Sequence, residues 1–235
     1  MDLAKQHLDV GLMVNDWDAA QRFWADTVGL AYEHFEKLGG GMRQYRFGAH
    51  GSVMKVNHAR NPLPRDPTVH RRLRLAGPGR TSPLLVRDPE GVEVELVPPG
   101  HDGVAGIEVI NASAAPAEAE RFWVEGLGAT IVEPGRYRIG DSLVRIVHEP
   151  NLEAPTTRTA AGFRYLTVQV FDVDAEHDRL TAMGFASDVA PVSLGTTARI
   201  CMVRDPDGGY VEVSQRAEVT GRPIPPGTPG TAVPH

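Results

Sequence analysis

The sequence predicts an α+β fold of tandem βαβββ modules on three observations: two motifs that each recur once, strand-period alternation opening each repeat, and helix caps directly after those strands. The repeat comes first because it sets the architecture. Ala19-Ala20-Gln21-Arg22-Phe23-Trp24 followed by Gly29 is echoed by Ala119-Glu120-Arg121-Phe122-Trp123 followed by Leu127-Gly128. Val86-Arg87-Asp88-Pro89-Glu90-Gly91 with Val94-Glu95-Leu96 is echoed by Val203-Arg204-Asp205-Pro206-Asp207-Gly208 with Val211-Glu212-Val213. Both echoes keep the same order at a spacing of about a hundred residues, which chance similarity would not preserve.

Each repeat opens with an alternating strand, carried by Val10, Leu12 and Val14 in the first and by Ile107 and Val109 in the second. A helix follows. Asn15 or Asp16 can cap the first, whose Ala20, Phe23, Trp24 and Val28 fall at helical spacing, with Gly29 at the left-handed C-terminal position. In the second, Ser113 and Pro116 supply the start and Gly128 the stop. Three strands come next in each: 31–35, 43–47 and 52–57 against 130–132, 136–139 and 143–148. The later part of the second repeat is a full copy, with an alternating strand over 163–170, a helix capped by Asp172 or Asp174 and ending at Gly184, and strands around the Asp205-Pro206-Asp207-Gly208 turn. In the first repeat, only Ala76 to Pro83 separate the strand over 69–75 from the next one at Leu84, so that module is abridged and lacks its helix. The predicted organisation is a first domain over 1–100, a second over 101–216, and a disordered tail over 217–235, dense in Pro and Gly.

Composition narrows the function classes. A formal charge of −6 with no long basic run argues against a nucleic-acid partner. The lone Cys201 excludes an intrachain disulfide framework and a thiolate-rich zinc site, and no apolar run is long enough to span a bilayer, so a cytoplasmic protein with a small-molecule partner is expected. Phosphate loops, nucleophile elbows and His-Glu-x-x-His helices are missing from the sequence.

The run from Leu8 to Asp16, followed by Phe23-Trp24 and Val28-Gly29-Leu30, resembles the opening module of the vicinal oxygen chelate superfamily, which includes glyoxalases, bleomycin-resistance proteins and ring-cleaving dioxygenases. The Asp-Pro-acidic-Gly turns that lead into Glu95 and Glu212 resemble the closing hairpins of its paired modules. The resemblance spans roughly residues 7–215 and implies two domains of paired modules around a cavity. It also implies metal ligands on the opening strands and on the strand after the Asp-Pro turn. Those positions fall on Asp9, on His70 if residues 69–75 open the abridged module, and on Glu95, a set acceptable to manganese, iron, magnesium, zinc or nickel. Arg72 and Arg74 then share the face of His70 and are candidates for substrate binding.

In the second repeat the ligand positions fall on Gly106 and Tyr165, and only Glu212 matches, which favours a metal-free pocket. There Glu108 or Glu212 would be the base, Tyr165 the donor to a developing oxyanion, and Thr167 and Gln169 the substrate contacts. Against these stand plainer assignments: Glu95 as an ion-pair partner of Arg72 or Arg74, and Tyr165 and Gln169 as hydrogen-bond partners of Glu212. The expected function is isomerase or lyase chemistry through carbonyl or enolate polarisation, with or without one divalent metal. The alternatives are a metal-free binding protein of the bleomycin-resistance type and, third, a ring-cleaving dioxygenase. An edge left open by the abridged module would suit a homodimer.

Overall fold

The structure, a computed structural model, describes residues 1–226. The first module holds β1 (Asp9–Val14), α1 (Trp17–Arg22), β2 (Ala31–Gly39), β3 (Met42–Ala49) and β4 (Ser52–His58). The second is reduced to β5 (His70–Ala76), β6 (Leu84–Arg87) and β7 (Glu93–Val97). The third holds β8 (Ile107–Ser113), α2 (Pro116–Arg121), β9 (Thr130–Glu133), β10 (Arg136–Ile139) and β11 (Ser142–His148). The fourth holds β12 (Gly162–Gln169), α3 (Val173–Ala182), β13 (Ser187–Leu194), β14 (Ala198–Arg204) and β15 (Tyr210–Arg216). The α+β class and the abridged second module are as the sequence predicts.

Local chemistry sets these bounds. Asp16 caps α1 by accepting the Ala19 N–H at 2.9 Å, and Asp172 caps α3 by accepting that of Ala175 at 3.0 Å. Pro116 occupies the first position of α2, where its missing N–H costs nothing. Both repeated helices end in a π-helical turn, over Phe23–Thr27 and Phe122–Gly126. Val28 donates to the Phe23 carbonyl and Leu127 to the Phe122 carbonyl, each at 2.9 Å. The wider turn lets consecutive Phe and Trp rings face the core together, and Trp24 and Trp123 are fully buried. Gly29 and Gly128 then reverse the chain at φ 84° and 77°.

The strands form two sheets whose membership crosses the sequence repeat. One runs β13-β14-β15-β12-β1-β4-β3-β2, joining the fourth module to the first; the other runs β6-β7-β5-β8-β11-β10-β9, joining the second to the third. The seams are antiparallel, β1 against β12 and β5 against β8. Each opening strand is parallel to the closing strand of its own module: β1 to β4, β5 to β7, β8 to β11 and β12 to β15. That pattern identifies β5 as the opening strand of its module. The division of the chain near residue 100 is therefore a division of the repeat, and each sheet draws on both sides of it.

One apolar cluster unites the helices with one face of each sheet, including Val10, Leu12, Trp24, Leu73, Val109 and Trp123. The opposite faces carry the polar residues. The first sheet curls strongly: Arg216 of β15 reaches Glu36 of β2 at 2.6 Å, although five strand spacings of about 4.8 Å separate them along the sheet. Part of the predicted tail is also structured. Ala217–Thr220 forms a short helix, Ile224 is buried, and the Pro225 carbonyl accepts from Ser193 Oγ at 2.6 Å. The apolar Ile224 side chain gives this stretch a packing partner that its composition concealed. The rest of that expectation, 227–235, lies outside the described residues. No helix among the described residues is long and apolar enough to cross a membrane.

The turn between β14 and β15, which fixes the register of Glu212 opposite Met202, is held by the Asp205 carboxylate accepting the N–H groups of Asp207 and Gly209 at 3.0 and 2.7 Å. Asp88 plays the same part before β7. Burial pushes Asp205 up to about 7 and Asp88 up to about 6. Between the ordinary carboxylate value of about 4 and these values, the folded chain retains protons that the unfolded chain has lost. Their effect therefore favours folding at the acid end of that window and declines as pH rises through it. Asp205→Asn keeps an acceptor oxygen and removes the titration. Relative to the parent, its urea midpoint is expected to improve steadily from about pH 4.5 to 7.5.

Candidate functional site

The concave face of the first sheet encloses a cavity of about 960 Å³, within the range of small-molecule sites. Alternation on the central strands decides what lines it. On β1, Leu12 and Val14 turn to the core, leaving Gly11 and Met13 on the other face; on β12, Leu166 and Val168 turn to the core, leaving Tyr165, Thr167 and Gln169. Lys55 on β4 lies beside Gly11, and Glu212 on β15 lies beside Thr167. One wall is apolar, built from Val189, Leu194, Ala198, Ile200 and Met202 of β13 and β14.

At the polar floor the Lys55 ammonium donates to Glu212 Oε1 at 2.7 Å and to Thr167 Oγ1 at 2.8 Å, and Thr167 in turn donates to Glu212 Oε1 at 3.1 Å. Lys55 is 3% exposed along its side chain and Glu212 14%, so this is a mostly desolvated ion pair that opens on the cavity at the carboxylate. Beside it, the Tyr165 hydroxyl accepts from Asn57 Nδ2 at 3.1 Å and from Gln44 Nε2 at 3.5 Å. Both neighbours are donors, so the phenol proton is free of them and can be given to a ligand. Burial, then the nearby Glu212 charge, raises the Tyr165 pKa well above the ordinary phenol value and keeps that proton in place.

The sequence-predicted residues separate into three environments. Tyr165, Thr167 and Glu212 come together at this cavity. Gln169 lies deeper, donating to Asp9 Oδ2 at 3.3 Å. Asp9 is fully buried and its Oδ1 accepts from Lys5 at 2.6 Å and the Val53 N–H at 2.8 Å, so it ties β1 to its neighbours.

His70, Glu95, Glu108, Arg72 and Arg74 belong to the second sheet. A register shift between His70 and Arg72 turns His70 away from the arginine face; its ring stacks on Phe163 at 4.0 Å and its Nδ1 meets Asn111 Oδ1 at 2.8 Å. Burial pushes His70 down to about 4, which keeps it neutral. Arg74 binds Glu95 at 2.8 Å, Glu108 at 2.5 Å and Asp102 at 2.9 Å, while Arg72 pairs with Glu93. Glu108 is fully buried and also accepts from Arg136 at 2.6 Å. Its lone pairs are committed to guanidiniums, which removes it as a base and removes Arg72 and Arg74 as free substrate contacts.

The metal set expected from Asp9, His70 and Glu95 is therefore distributed over two sheets. Among the described residues no group of three His, Cys, Asp or Glu side chains is placed to hold a metal ion. At Glu212 the donor set is one carboxylate, one hydroxyl and an ammonium, and the ammonium already supplies positive charge where a divalent ion would need further ligands. This donor set does not fit a metal.

Lys55, Asn57 and Gln44 escaped the sequence reading because they belong to strands whose partner module was not apparent. A signal did exist: Lys55 is a charged residue between the apolar Met54 and Val56 of a strand-like segment. Gly11 escaped in the same way. A Cβ there would lie 2.2 Å from the Tyr165 ring, so this glycine is the space into which the ring folds.

The paired modules, each closing its opening strand against its own last strand, have the architecture of the vicinal oxygen chelate fold, with a ligand-sized cavity on the first sheet. Residues 112–213 match the family model of the Glyoxalase/Bleomycin resistance protein/Dioxygenase superfamily. Among solved structures, glyoxalase I from Zea mays is similar at TM-score 0.68 and 12% identity, covering 89% of this chain and 92% of that one. A putative dioxygenase from Bacillus subtilis is similar at TM-score 0.64 and 15% identity, covering 96% and 87%. The cppA protein from Streptococcus pneumoniae is similar at TM-score 0.57 and 12% identity, covering 89% and 97%. At these identities the likeness is one of fold. No curated protein matches the chain.

The packing at Gly11 gives a direct test. Gly11→Ala is expected to displace the Tyr165 ring and cost about 1–3 kcal/mol in urea unfolding. In a Tyr165→Ala background the same substitution should cost much less, which a double-mutant cycle measures.

Proposed function

We infer that the protein binds a small oxygenated organic molecule in the first-sheet cavity and catalyses proton transfer next to a carbonyl, as an isomerase or lyase. The observation that carries this reading is the desolvated Lys55–Glu212 pair, 2.7 Å apart, at the floor of a ligand-sized cavity. A carbonyl oxygen brought to the floor accepts hydrogen bonds from the Lys55 ammonium and the Tyr165 hydroxyl. As the C–H bond beside that carbonyl breaks, its proton passes to Glu212 and its electron pair becomes the enolate held by the two donors. Return of the proton to carbon completes an isomerisation; departure of a neighbouring leaving group with its bonding pair completes an elimination.

Placing ammonium and carboxylate in contact suits this sequence. As negative charge shifts from Glu212 to the substrate oxygen, Lys55 remains within reach of both, and the low-polarity surroundings strengthen its attraction to either. Thr167 holds the same Glu212 oxygen as Lys55, so the second carboxylate oxygen faces the cavity side with no hydrogen bond from the described residues.

A second reading, binding without turnover as in the bleomycin-resistance branch, draws on the apolar wall of β13 and β14 and on the pairing of Glu212 with Lys55 and Thr167, which occupies one of its oxygens. Deuterium wash-in separates the two. Aryl methyl ketones and α-oxo acids that raise the melting temperature of the protein should exchange the hydrogens beside their carbonyl in deuterium oxide, followed by proton NMR. Glu212→Gln is expected to slow that exchange by about 100-fold or more while ligands still bind. Stabilisation by these compounds with no exchange above the variant's rate would sink the proton-transfer reading in favour of binding alone.

A further inference from the structure

Lys55, Glu212, Glu36 and Arg216 are among the charged residues lining the cavity of the first sheet, and Arg46 stands beside Lys55 on the neighbouring strand β3. Lys55 and Glu212 satisfy each other. Arg46 of β3 and Arg216 of β15 are left to share Glu36, whose Oε1 lies 3.6 Å from Arg46 Nη1 and 2.6 Å from Arg216 Nη2. Burial opposes ionisation of Glu36, but the Arg216 bond and the charges of Arg216 and Arg46 outweigh it and hold this carboxyl below its usual range.

The two guanidiniums are poorly used. They are 7% and 8% exposed, and each offers five N–H donors. Arg46 makes one side-chain hydrogen bond, to Gln44 Oε1 at 3.2 Å, and Arg216 makes one, to Glu36. The Nε of each is buried with no acceptor. On the second sheet the same residue type in the same kind of face is saturated: Arg74 places Nε, Nη1 and Nη2 on three different carboxylates. Buried donors without acceptors are costly, so these two guanidiniums carry an unmet demand for lone pairs that Arg74 does not. The carboxylate that they share sits on β2, an edge strand that is largely exposed.

We propose that Arg46 and Arg216 form a carboxylate-binding subsite which Glu36 fills until a ligand's own carboxylate displaces it, so that the cavity takes a small organic acid. Its anionic end lies between the two guanidiniums, its oxygenated centre near Lys55 and Tyr165, and its apolar body along β13 and β14. This rests on the cavity being the ligand site and is independent of whether Glu212 moves a proton. Carboxylate is preferred over phosphate because the group displaced is itself a carboxylate, planar and singly charged, matched to the guanidinium fork.

Isothermal titration tests it with pyruvate, phenylpyruvate and benzoylformate, each beside its methyl ester, and with inorganic phosphate. At least one acid is expected to bind the parent about tenfold or more tightly than its ester. Arg46→Gln with Arg216→Gln should erase that preference. Glu36→Gln should tighten acid binding severalfold and leave ester binding unchanged, a gain that a misfolded variant cannot produce. Failure of every acid to bind at millimolar concentration, equal affinity for acids and esters, tighter binding of phosphate than of any acid, or no gain in Glu36→Gln would each overturn the proposal. Pyruvate or phenylpyruvate binding as expected without deuterium wash-in would leave the subsite standing and remove only the proton-transfer reading; benzoylformate, with no hydrogen beside its ketone, reports binding alone.

Discussion

The antiparallel seam between β1 and β12 is the constraint on which the site depends. A single module leaves one edge of its opening strand unpaired, with a row of backbone donors and acceptors exposed. Joining two opening strands satisfies both edges at once and sets two curled half-sheets face to face. Gly11 then stands opposite Tyr165, and Lys55, one strand away on one side, comes within reach of Glu212, one strand away on the other. Neither module contains this pair alone. The floor of the cavity is a property of the seam.

The second sheet shows the same scaffold put to another use. Its seam, between β5 and β8, brings Arg74 opposite Glu108, and β10 adds Arg136. These charges are buried, closely spaced and mutually saturated. Desolvation offsets much of the Coulombic gain in such a network, so its value lies more in filling and fixing the concave face than in net stability. Chemistry needs groups with unfilled hydrogen-bonding capacity, and on the concave face of the first sheet Tyr165, Arg46 and Arg216 retain it. One duplicated architecture thus yields a packed face and an open one, decided by how many carboxylates meet how many guanidiniums.

Alternation and capping made the fold legible from the residues: the strands beginning near Val10, Ile107 and Phe163, the caps at Asp16 and Asp172, and the shortened link between Ala76 and Leu84 all depend on local periodicity or local chemistry. Tyr165, Thr167 and Glu212 were legible as a group because strand parity and the Asp-Pro turn place them. The pairing of modules was not, because sheet membership depends on contacts between residues far apart in the chain, to which periodicity is blind. Grouping Asp9 with His70 and Glu95 followed from assuming that neighbours in sequence share a sheet. A one-residue register shift in β5 was enough to send His70 to the opposite face, since parity in a strand has a period of two. Lys55 and Arg216 carry no motif, and only the curl of the sheet gives them meaning.

The order of the modules along the chain has a consequence for biogenesis. The second and third are adjacent, so the charge-stitched sheet can close over short loops as soon as β11 has been made. The first module can pair β1 with β4, but the other edge of β1 must wait for β12 until the fourth module has left the ribosome. The cavity of the first sheet is then the last part of the molecule to exist, assembled on a half that is already folded. A nascent chain interrupted before β15 would keep the packed sheet and never acquire the open one.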